Sequence, residues 1–348
     1  MTARPDGRSL ATPVVLVAFN RPDLTARGLE VLRRVRPRTL LVVCDGPRAD
    51  RPSDPARVAA VRRLLQDVDW PADVRRRYAE ENVGCEANIE GGMDWAFGSV
   101  DRAIVLEDDC IADPTFFRYC EELLGRYADD GRVWQIAGNS HDVPPRLFHG
   151  DSYRFSTWAS VWGWATWADR WQRHRAVFPR DHHAPDGDRP VRVAPARPRP
   201  GALVTAAARR HFADAAASSD TVTHGWDKHW WLTIMSEGGL SVTPAVNLVE
   251  NAGFGAAATH LVVPHRATAA GAMAFPLRHP ARVALDREVE RDLELLLDRV
   301  GGRAARTARR LVRSPRLRAA VRGAVYSRPA VAAARRWSRL TEGADARE

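Results

Sequence analysis

Three consecutive acids, Glu107, Asp108 and Asp109, follow directly on an apolar run at 103–106, in the stretch RAIVLEDDCIADPTFF (102–117). The run is typical of a strand covered on both faces, and ligands of open α/β sheets bind outside the carboxyl ends of such strands. Adjacent carboxylates repel one another, and burial raises their pKa values, so a divalent cation would relieve both costs. The sequence therefore predicts a site here for Mn²⁺ or Mg²⁺ and a diphosphate, with a solvated acidic turn as the alternative.

The elements that must position these acids alternate between strand and helix. Apolar runs at 14–20 and 39–46 predict buried strands, and apolar residues at helical spacing predict helices over 23–35 and 55–67. The next predicted elements are a weak strand at 75–81, a helix at 88–100, the strand that ends in the acids, a helix from Asp113–Pro114 and a strand at 132–138. This alternation predicts an α/β fold with a mostly parallel sheet and helices on both faces.

The pattern changes after residue 138, where tryptophans become dense. Their spacing of three or four residues suits one helical face, and we expect most of them to lie in the core. The residues concerned are Trp158, Trp162, Trp164, Trp167 and Trp171. A segment rich in Pro, Arg and Asp at 179–201 is predicted to be a loop.

Several motifs, in order along the chain, carry a resemblance to a known family. The block 104–142, with an apolar strand, Glu-Asp-Asp, a Pro-Phe-Phe helix and a returning strand, resembles the metal-binding core of GT-A glycosyltransferases of the N-acetylglucosaminyltransferase I type. Bacterial family 2-like GT-A proteins, some labelled as hemolytic proteins, are similar at VVLVAFNRPD (14–23), NVGCEANIEGG (82–92), WGWATW (162–167), GWDKHW (225–230) and VNLVENAGFGAAATH (246–260). The resemblance covers about residues 12–262 and implies a Rossmann-like GT-A fold.

The resemblance also implies a function and a set of roles. It implies a nucleotide-diphosphate sugar donor, a divalent metal, and inverting transfer of a hexosyl or N-acetylhexosaminyl group to an acceptor hydroxyl. Asp109 matches the position that binds the metal directly, while Glu107 and Asp108 match positions nearer the nucleoside and sugar. Asp45 matches an acid that reads the base, and Arg21 matches a cation near the diphosphate. Without the resemblance, Asp45 would be interpreted as part of an Asp-Gly turn and Arg21 as a surface residue.

The acceptor hydroxyl needs a general base, and the match points to Asp227. Because Asp227 lies among Trp226, Trp230 and Trp231 in the sequence, we expect a partly desolvated carboxylate with a pKa raised toward working pH. The alternative for Asp227 is a helix N-cap. His260 matches a histidine that follows the GFG loop and contacts metal or phosphate, although a lone histidine is more often structural. A subset of the tryptophans would be available to stack on sugar faces.

The net charge of +9 is unevenly placed, because residues 301–340 contain twelve arginines and no acid. The rest of the chain is slightly acidic. This tail predicts either helices lying on an anionic membrane surface or a solvated arginine-rich extension. We expect a catalytic domain over 1–275, with a nucleotide and metal half at about 12–142 and an acceptor half at about 150–262, followed by a basic helical extension over 276–348.

The remaining composition bears on location. No apolar run approaches the roughly 18 residues that span a bilayer, and the N-terminus lacks the apolar core of a signal peptide. The four cysteines form no CxxC pair and are predicted to be reduced thiols. We therefore expect a cytoplasmic protein, with the tail as a candidate for peripheral contact with the inner face of the cell membrane, where a lipid-linked acceptor would be close.

Other functions make different predictions. A non-catalytic relative that binds carbohydrate or nucleotide sugar would bind a nucleoside diphosphate without turnover. A sugar nucleotidyltransferase would need a Gly-rich basic loop after the first strand, where this chain has AFNRPDLT (18–25). Nucleic-acid binding through the tail would survive loss of the catalytic body and fall steeply with salt; we expect no nucleic acid as a partner.

Overall fold

The computed structural model describes residues 9–178, 203–205, 208–209, 212–213, 225–253 and 269–301. His260, the predicted loop at 179–201 and the arginine-rich tail beyond residue 301 therefore lie outside the described residues.

An eight-stranded sheet forms the centre of the described molecule, in the order β3-β2-β1-β4-β8-β6-β9-β7. Its strands are β1 (Val14–Ala18), β2 (Thr39–Cys44), β3 (Asp73–Tyr78), β4 (Arg102–Glu107), β6 (Val133–Ala137), β7 (Tyr153–Ser156), β8 (Trp164–Trp167) and β9 (Leu240–Pro244). Six of these eight strands run in one direction, since β7 and β8 pair antiparallel with their neighbours. A separate two-stranded antiparallel ribbon pairs β5 (Cys110–Ala112) with β10 (Val249–Asn251).

Helices cover both faces of the sheet. They are α1 (Pro22–Val35), α2 (Asp54–Gln66), α3 (Cys85–Phe97), α4 (Pro114–Arg126), α5 (Ala168–Val177), α6 (Trp226–Ser236) and α7 (Arg287–Gly301). One core layer joins the sheet to α1, α2 and α4, and a second joins it to α3, α5 and α6. None of the helices in the described ranges is both long and apolar enough to cross a membrane.

Burial on both faces explains the continuous apolar strands. In β4, Ile104 and Leu106 enter the first core layer, while Ala103 and Val105 enter the second. The parallel strands in the order β3-β2-β1 match one mononucleotide-binding half of a Rossmann fold, and β4 follows β1 as the fourth strand does in that fold. The predicted α/β class, with a mostly parallel sheet and flanking helices, is confirmed, and the architecture is consistent with a Rossmann-like GT-A fold.

The tryptophan-rich segment is core, as predicted, but it does not form one helical face. Trp164 and Trp167 lie in β8, which pairs with both β4 and β6, and Trp171 lies in α5. The side chains of Trp164 and Trp167 enter opposite core layers. The helical prediction is wrong because hydrogen bonding to two neighbouring strands outweighs a spacing that suits a helix. Trp158 and Trp162 precede β8 in loop structure and are half-buried.

The first part of the predicted extension packs onto the body. Leu277 belongs to the first core layer, and Val289 and Leu293 of α7 are buried against Phe148. The backbone amide of Asp286 also donates to the carbonyl of Phe155 in β7, at 2.8 Å. The predicted domain boundary at 276 stays a prediction, and the chain continues against the sheet for at least the first turns of α7.

Glu290 of α7 is a buried acid whose carboxylate is held by Thr157, the residue that follows β7. Its carboxylate accepts from the backbone amide of Thr157 at 2.7 Å and from the Thr157 hydroxyl at 2.5 Å. Burial raises the pKa of Glu290 to about 8, with a further increase from Glu294, while the two Thr157 donors oppose the shift. A carboxyl whose folded-state pKa lies above its unfolded value stabilises the fold at low pH, and this contribution is lost as pH rises through about 8.

We expect Glu290→Gln to remove a pH-dependent loss of stability. Between pH 6 and pH 9 the wild-type free energy of unfolding should fall by about 3 kcal/mol more than that of the variant, since the folded pKa of about 8 lies about two units above pH 6 and each unit corresponds to 1.36 kcal/mol. Glutamine mimics the protonated carboxyl, so the two proteins should be similar only below the ordinary glutamate pKa of 4.5, where Glu290 is protonated in both the folded and the unfolded state. Chemical denaturation across this pH range measures the difference, with the exposed Glu288→Gln as the matched control. Parallel losses in wild type and Glu290→Gln would contradict the prediction.

Candidate functional site

The predicted acids lie at the carboxyl edge of the sheet, beside the segment that follows β1. β1 and β4 are parallel neighbours, and Val17 pairs with Glu107 in their register. The residues after each strand, 19–21 and 108–109, are therefore adjacent. This edge is where open α/β sheets bind their ligands.

Arg21 lies between two of the three acids. Its Nη1 donates to Asp109 Oδ2 at 2.6 Å and to Asp108 Oδ1 at 3.3 Å. The backbone amide of Phe19 donates to the other oxygen of Asp108, at 3.1 Å. The three charged side chains are largely enclosed, with exposed fractions of 17% for Arg21, 7% for Asp108 and 14% for Asp109. The structure thus brings together three of the predicted site residues.

The pKa values at this edge show that negative charge is crowded. Burial raises the pKa of Asp108 to about 6, with a contribution from Asp109, while Arg21 and the Phe19 amide oppose the shift. Burial likewise raises the pKa of Glu107 well above its ordinary value, and the charges of Asp109, Asp108 and Asp227 add to the effect. One guanidinium therefore leaves these carboxylates incompletely compensated, as expected of a site for a further cation.

Asp227 faces this acidic edge from another element. It lies in the first turn of α6, and its charge contributes to the raised pKa values of Glu107 and Cys85. The expectation of a desolvated Asp227 is wrong, since its side chain is exposed. The three neighbouring tryptophans are buried in the core, so they do not enclose the carboxylate. The N-cap alternative is also wrong, because the N-cap residue of α6 is Gly225.

A buried ionic network that the sequence analysis missed holds the start of α6. Glu86 Oε2 accepts from the backbone amide of Gly225 at 3.1 Å, and Glu86 Oε1 lies 3.3 Å from His229 Nδ1. Glu90, one turn along α3, pairs with Arg175 at 2.6 Å. One ligand atom each from Glu86, Glu90 and His229 lie within 4.8 Å of one another. Glu86 therefore contacts α6 at Gly225 and His229, on both sides of Asp227. The four-residue spacing of Glu86 and Glu90 could have predicted that both acids lie on one face of α3.

Asp45 is placed at the end of β2 and is buried. Its Oδ1 accepts from the backbone amides of Gly46 at 2.8 Å and Val83 at 2.9 Å. Its Oδ2 accepts from Asn82 at 2.8 Å and from the amide of Gly84 at 3.2 Å. In this structure Asp45 anchors the 82–84 segment ahead of α3, and its contact with a nucleoside base stays a prediction.

The ribbon of β5 and β10 holds the backbone next to Asp109. Cys110 pairs with Asn251, and the backbone amide of Ala252 donates to the carbonyl of Asp109 at 2.7 Å. A Cβ on Gly253 would lie 2.0 Å from Asp109 Oδ2, which is impossible without movement. The glycine is therefore required for close approach of the backbone to the carboxylate. Neither contact was predicted, because both depend on pairing between segments that are 140 residues apart in the sequence.

We expect Gly253→Ala to displace the Asp109 carboxylate. Misplacement by about 1 Å should reduce turnover roughly 10²-fold and weaken Mn²⁺ binding. Mn²⁺ titration and steady-state rates measure the effect. Gly125→Ala in α4 is the matched control, since a Cβ there meets nothing within 4 Å. An unchanged Mn²⁺ affinity in Gly253→Ala would show that the carboxylate is not confined by this backbone.

The donor chemistry of this edge fits a divalent cation. Mg²⁺ and Mn²⁺ are bound by one or two carboxylates together with water and phosphate oxygens. Asp109 and Asp108 present such oxygens side by side, and the raised pKa of Asp108 shows that its charge is under-compensated. Asp109 would hold the ion, with Asp108 beside it. His260, the second predicted metal ligand, lies outside the described residues.

Comparison with known proteins gives structural likenesses of limited extent. No protein-family model matches the chain, and no curated protein matches it. Among solved structures, one match is the mannosyltransferase PcManGT from Pyrobaculum calidifontis in complex with GDP-Man and Mn²⁺. It is 16% identical, with 47% of this chain and 46% of that chain covered and a TM-score of 0.32.

Two further solved structures match with similarly low identity and TM-score. UDP-glucose pyrophosphorylase complexed with UDP-glucose is 10% identical, with coverages of 42% and 62% and a TM-score of 0.26. Galactosyltransferase LgtC, in complex with donor and acceptor sugar analogs, is 13% identical, with coverages of 47% and 60% and a TM-score of 0.27. The chain thus spans less than two thirds of each of these three proteins.

Proposed function

We propose that this protein is a metal-dependent glycosyltransferase. It would move a hexosyl or N-acetylhexosaminyl group from a nucleotide-diphosphate donor to an acceptor hydroxyl in a single inverting displacement. The observation that carries the proposal is the meeting of Arg21, Asp108 and Asp109 at the carboxyl ends of β1 and β4, with Asp227 on the facing helix. The acceptor would be a glycan or a lipid-linked molecule.

Each of these side chains has a chemical task in the proposal. Asp109, with Asp108, would hold Mn²⁺ or Mg²⁺, which when bound would offset the negative charge on the departing nucleoside diphosphate. Arg21 would add a charge-assisted contact to the same diphosphate. Glu107, half-buried and with a raised pKa, is suited to hydrogen-bond the sugar or nucleoside. Asp45 would act at the nucleoside, either by direct contact or through the 82–84 segment that it anchors.

Asp227 would accept the proton of the acceptor hydroxyl. Its position in the first turn of α6 leaves the carboxylate exposed, as a group that meets an incoming acceptor must be. Glu86 holds that turn through Gly225 and His229, so the position of the base is set by buried contacts. A general base placed in this way contributes roughly 10²- to 10⁴-fold to rate.

Location and the tail belong to the same proposal. The protein would act in the cytoplasm, with the arginine-rich segment at 301–340 reaching the inner face of the cell membrane when the acceptor is lipid-linked. Binding of the full chain to vesicles with and without anionic lipid tests that part separately from catalysis.

Donor hydrolysis tests the proposed function directly. The purified protein is incubated with Mn²⁺ and each of a panel of nucleotide sugars, and release of the nucleoside diphosphate is measured. We expect turnover of one donor, and none after chelation of the metal. Binding of a nucleoside diphosphate with no turnover of any donor would favour the non-catalytic relative instead.

A further inference from the structure

Arg21 donates to carboxylate oxygens that would also bind a metal ion held by Asp109 and Asp108. A single nitrogen, Nη1, donates to Asp109 Oδ2 at 2.6 Å and to Asp108 Oδ1 at 3.3 Å. It therefore lies between the two carboxylates and uses one oxygen from each. A cation that bridged or bound these oxygens would compete with the guanidinium for the same lone pairs.

The surroundings leave Asp109 Oδ2 little other room. The backbone at Gly253 approaches this oxygen so closely that a Cβ there would lie 2.0 Å away. The other carboxylate oxygen, Oδ1, lies 3.7 Å from Cys110 Sγ. The 2.6 Å contact and the enclosure of both partners make this a strong charge-assisted pair, unlike a solvent-exposed one.

Only the side chain of Arg21 needs to move for the pair to open. Its backbone is fixed at the start of α1, where its carbonyl accepts from the amide and the hydroxyl of Thr25, both at 2.9 Å. Pro22 follows it as the first residue of the helix. The side chain itself remains 17% exposed at the edge of the sheet, and its torsions can redirect the guanidinium without change in the fold.

We propose that Arg21 is a resident counter-ion of the metal site, which leaves Asp108 and Asp109 when a divalent cation binds and moves to the donor diphosphate. The inference rests on the proposed function, because it needs a cation at Asp109 and a diphosphate next to it. The exchange makes binding of the metal and of the diphosphate cooperative. The metal releases the guanidinium from the carboxylates, and the diphosphate then provides it with a new partner.

We expect Arg21→Gln to change the affinities for two ligands in opposite directions. Without the guanidinium, Mn²⁺ alone should bind roughly 5- to 100-fold more tightly, the usual range for coupled sites. A nucleoside diphosphate at saturating Mn²⁺ should bind more weakly, by a similar factor. A fixed ion pair that only neutralises the acids predicts tighter Mn²⁺ binding with unchanged diphosphate affinity. A residue needed to build the site predicts that both ligands weaken.

The experiment measures Mn²⁺ affinity by the loss of the free-ion electron paramagnetic resonance signal. UDP and GDP affinities at saturating Mn²⁺ are then measured by calorimetry. Arg21→Lys keeps the charge and should stay close to wild type in Mn²⁺ affinity. Arg34→Gln, an exposed residue on the same helix that pairs with Glu30, controls for the general loss of a positive charge. Thermal unfolding of each variant confirms that it is folded.

The outcomes separate this inference from the proposed function. Tighter Mn²⁺ binding together with weaker nucleoside diphosphate binding in Arg21→Gln supports the exchange. Unchanged or weaker Mn²⁺ binding in that variant, with normal binding in wild type, overturns the inference alone. Tighter Mn²⁺ binding with unchanged diphosphate affinity overturns the move to phosphate. Absence of Mn²⁺ binding in every variant, wild type included, overturns the metal site and with it the proposed function.

Discussion

Asp109→Asn is expected to reduce donor turnover about 10³-fold or more. Asp109 is the carboxylate proposed to hold the divalent ion, and loss of several kcal/mol of charge stabilisation at the leaving diphosphate corresponds to that factor. The fold should not suffer. The substitution removes a charge that raises the pKa values of Asp108 and Glu107, and the asparagine oxygen can still accept from Arg21. At pH 8 the variant should therefore unfold at the same temperature as wild type or higher.

Three measurements check this result: donor hydrolysis, Mn²⁺ titration and thermal unfolding. Asp129→Asn, an exposed acid after α4, is the matched control and should leave all three unchanged. A variant at position 109 that is stable and inactive locates the metal site at this carboxylate. Full turnover and normal Mn²⁺ affinity in Asp109→Asn would remove the basis of the proposed chemistry.

Asp227→Asn is expected to lower the transfer rate by about 10²- to 10⁴-fold while donor binding stays intact. The asparagine keeps the shape of the side chain but cannot accept the acceptor proton. Because Asp227 is exposed and is not one of the carboxylates proposed to hold the metal, neither Mn²⁺ nor nucleoside diphosphate affinity should weaken. The expected signature is therefore a fall in kcat without a rise in the dissociation constant of the donor.

Steady-state transfer with a defined acceptor and equilibrium binding of the nucleoside diphosphate measure the two quantities. Asp23→Asn provides the control, since Asp23 is also an exposed acid in the first turn of a helix and shares any effect on the helix dipole. A loss of donor affinity in Asp227→Asn equal to its loss of rate would mean that this residue serves binding, and the base would have to be sought elsewhere.

The acid triplet and its setting were the most predictable part of the molecule. The strand and helix alternation predicted a mostly parallel sheet, and the apolar run before the acids predicted a strand covered on both faces. The pairing of β4 with β1 was not predicted, because alternation does not fix the order of strands. The family resemblance placed Arg21 near the diphosphate, on the same side of the site as the acids. Its bond to two carboxylates was not expected, because the family resemblance suggested only a contact with phosphate.

Contacts between segments far apart in the chain could not be predicted from the sequence. The close approach of Gly253 to Asp109 depends on the β5–β10 ribbon. The hydrogen bond from the Gly225 amide to Glu86 depends on packing of α6 against α3. For Asp227, sequence neighbours were taken for spatial neighbours. In a helix, adjacent residues point about 100° apart, so tryptophans beside an acid in the sequence can be buried while the acid is exposed. Trp164 and Trp167 were wrongly predicted to lie on a helix for a similar reason, because local spacing was used where strand pairing decides the structure.

The position of β8 limits how the chain can be divided. This strand, at 164–167, lies between β4 and β6, so the edge of β4 is paired with residues that come after residue 142. A fragment cut near residue 142 would expose an apolar edge, with the unpaired backbone of β4 available to a second molecule. Such a fragment should self-associate. The acid triplet can therefore be transplanted or truncated only together with its antiparallel neighbour, as a single cooperative folding unit.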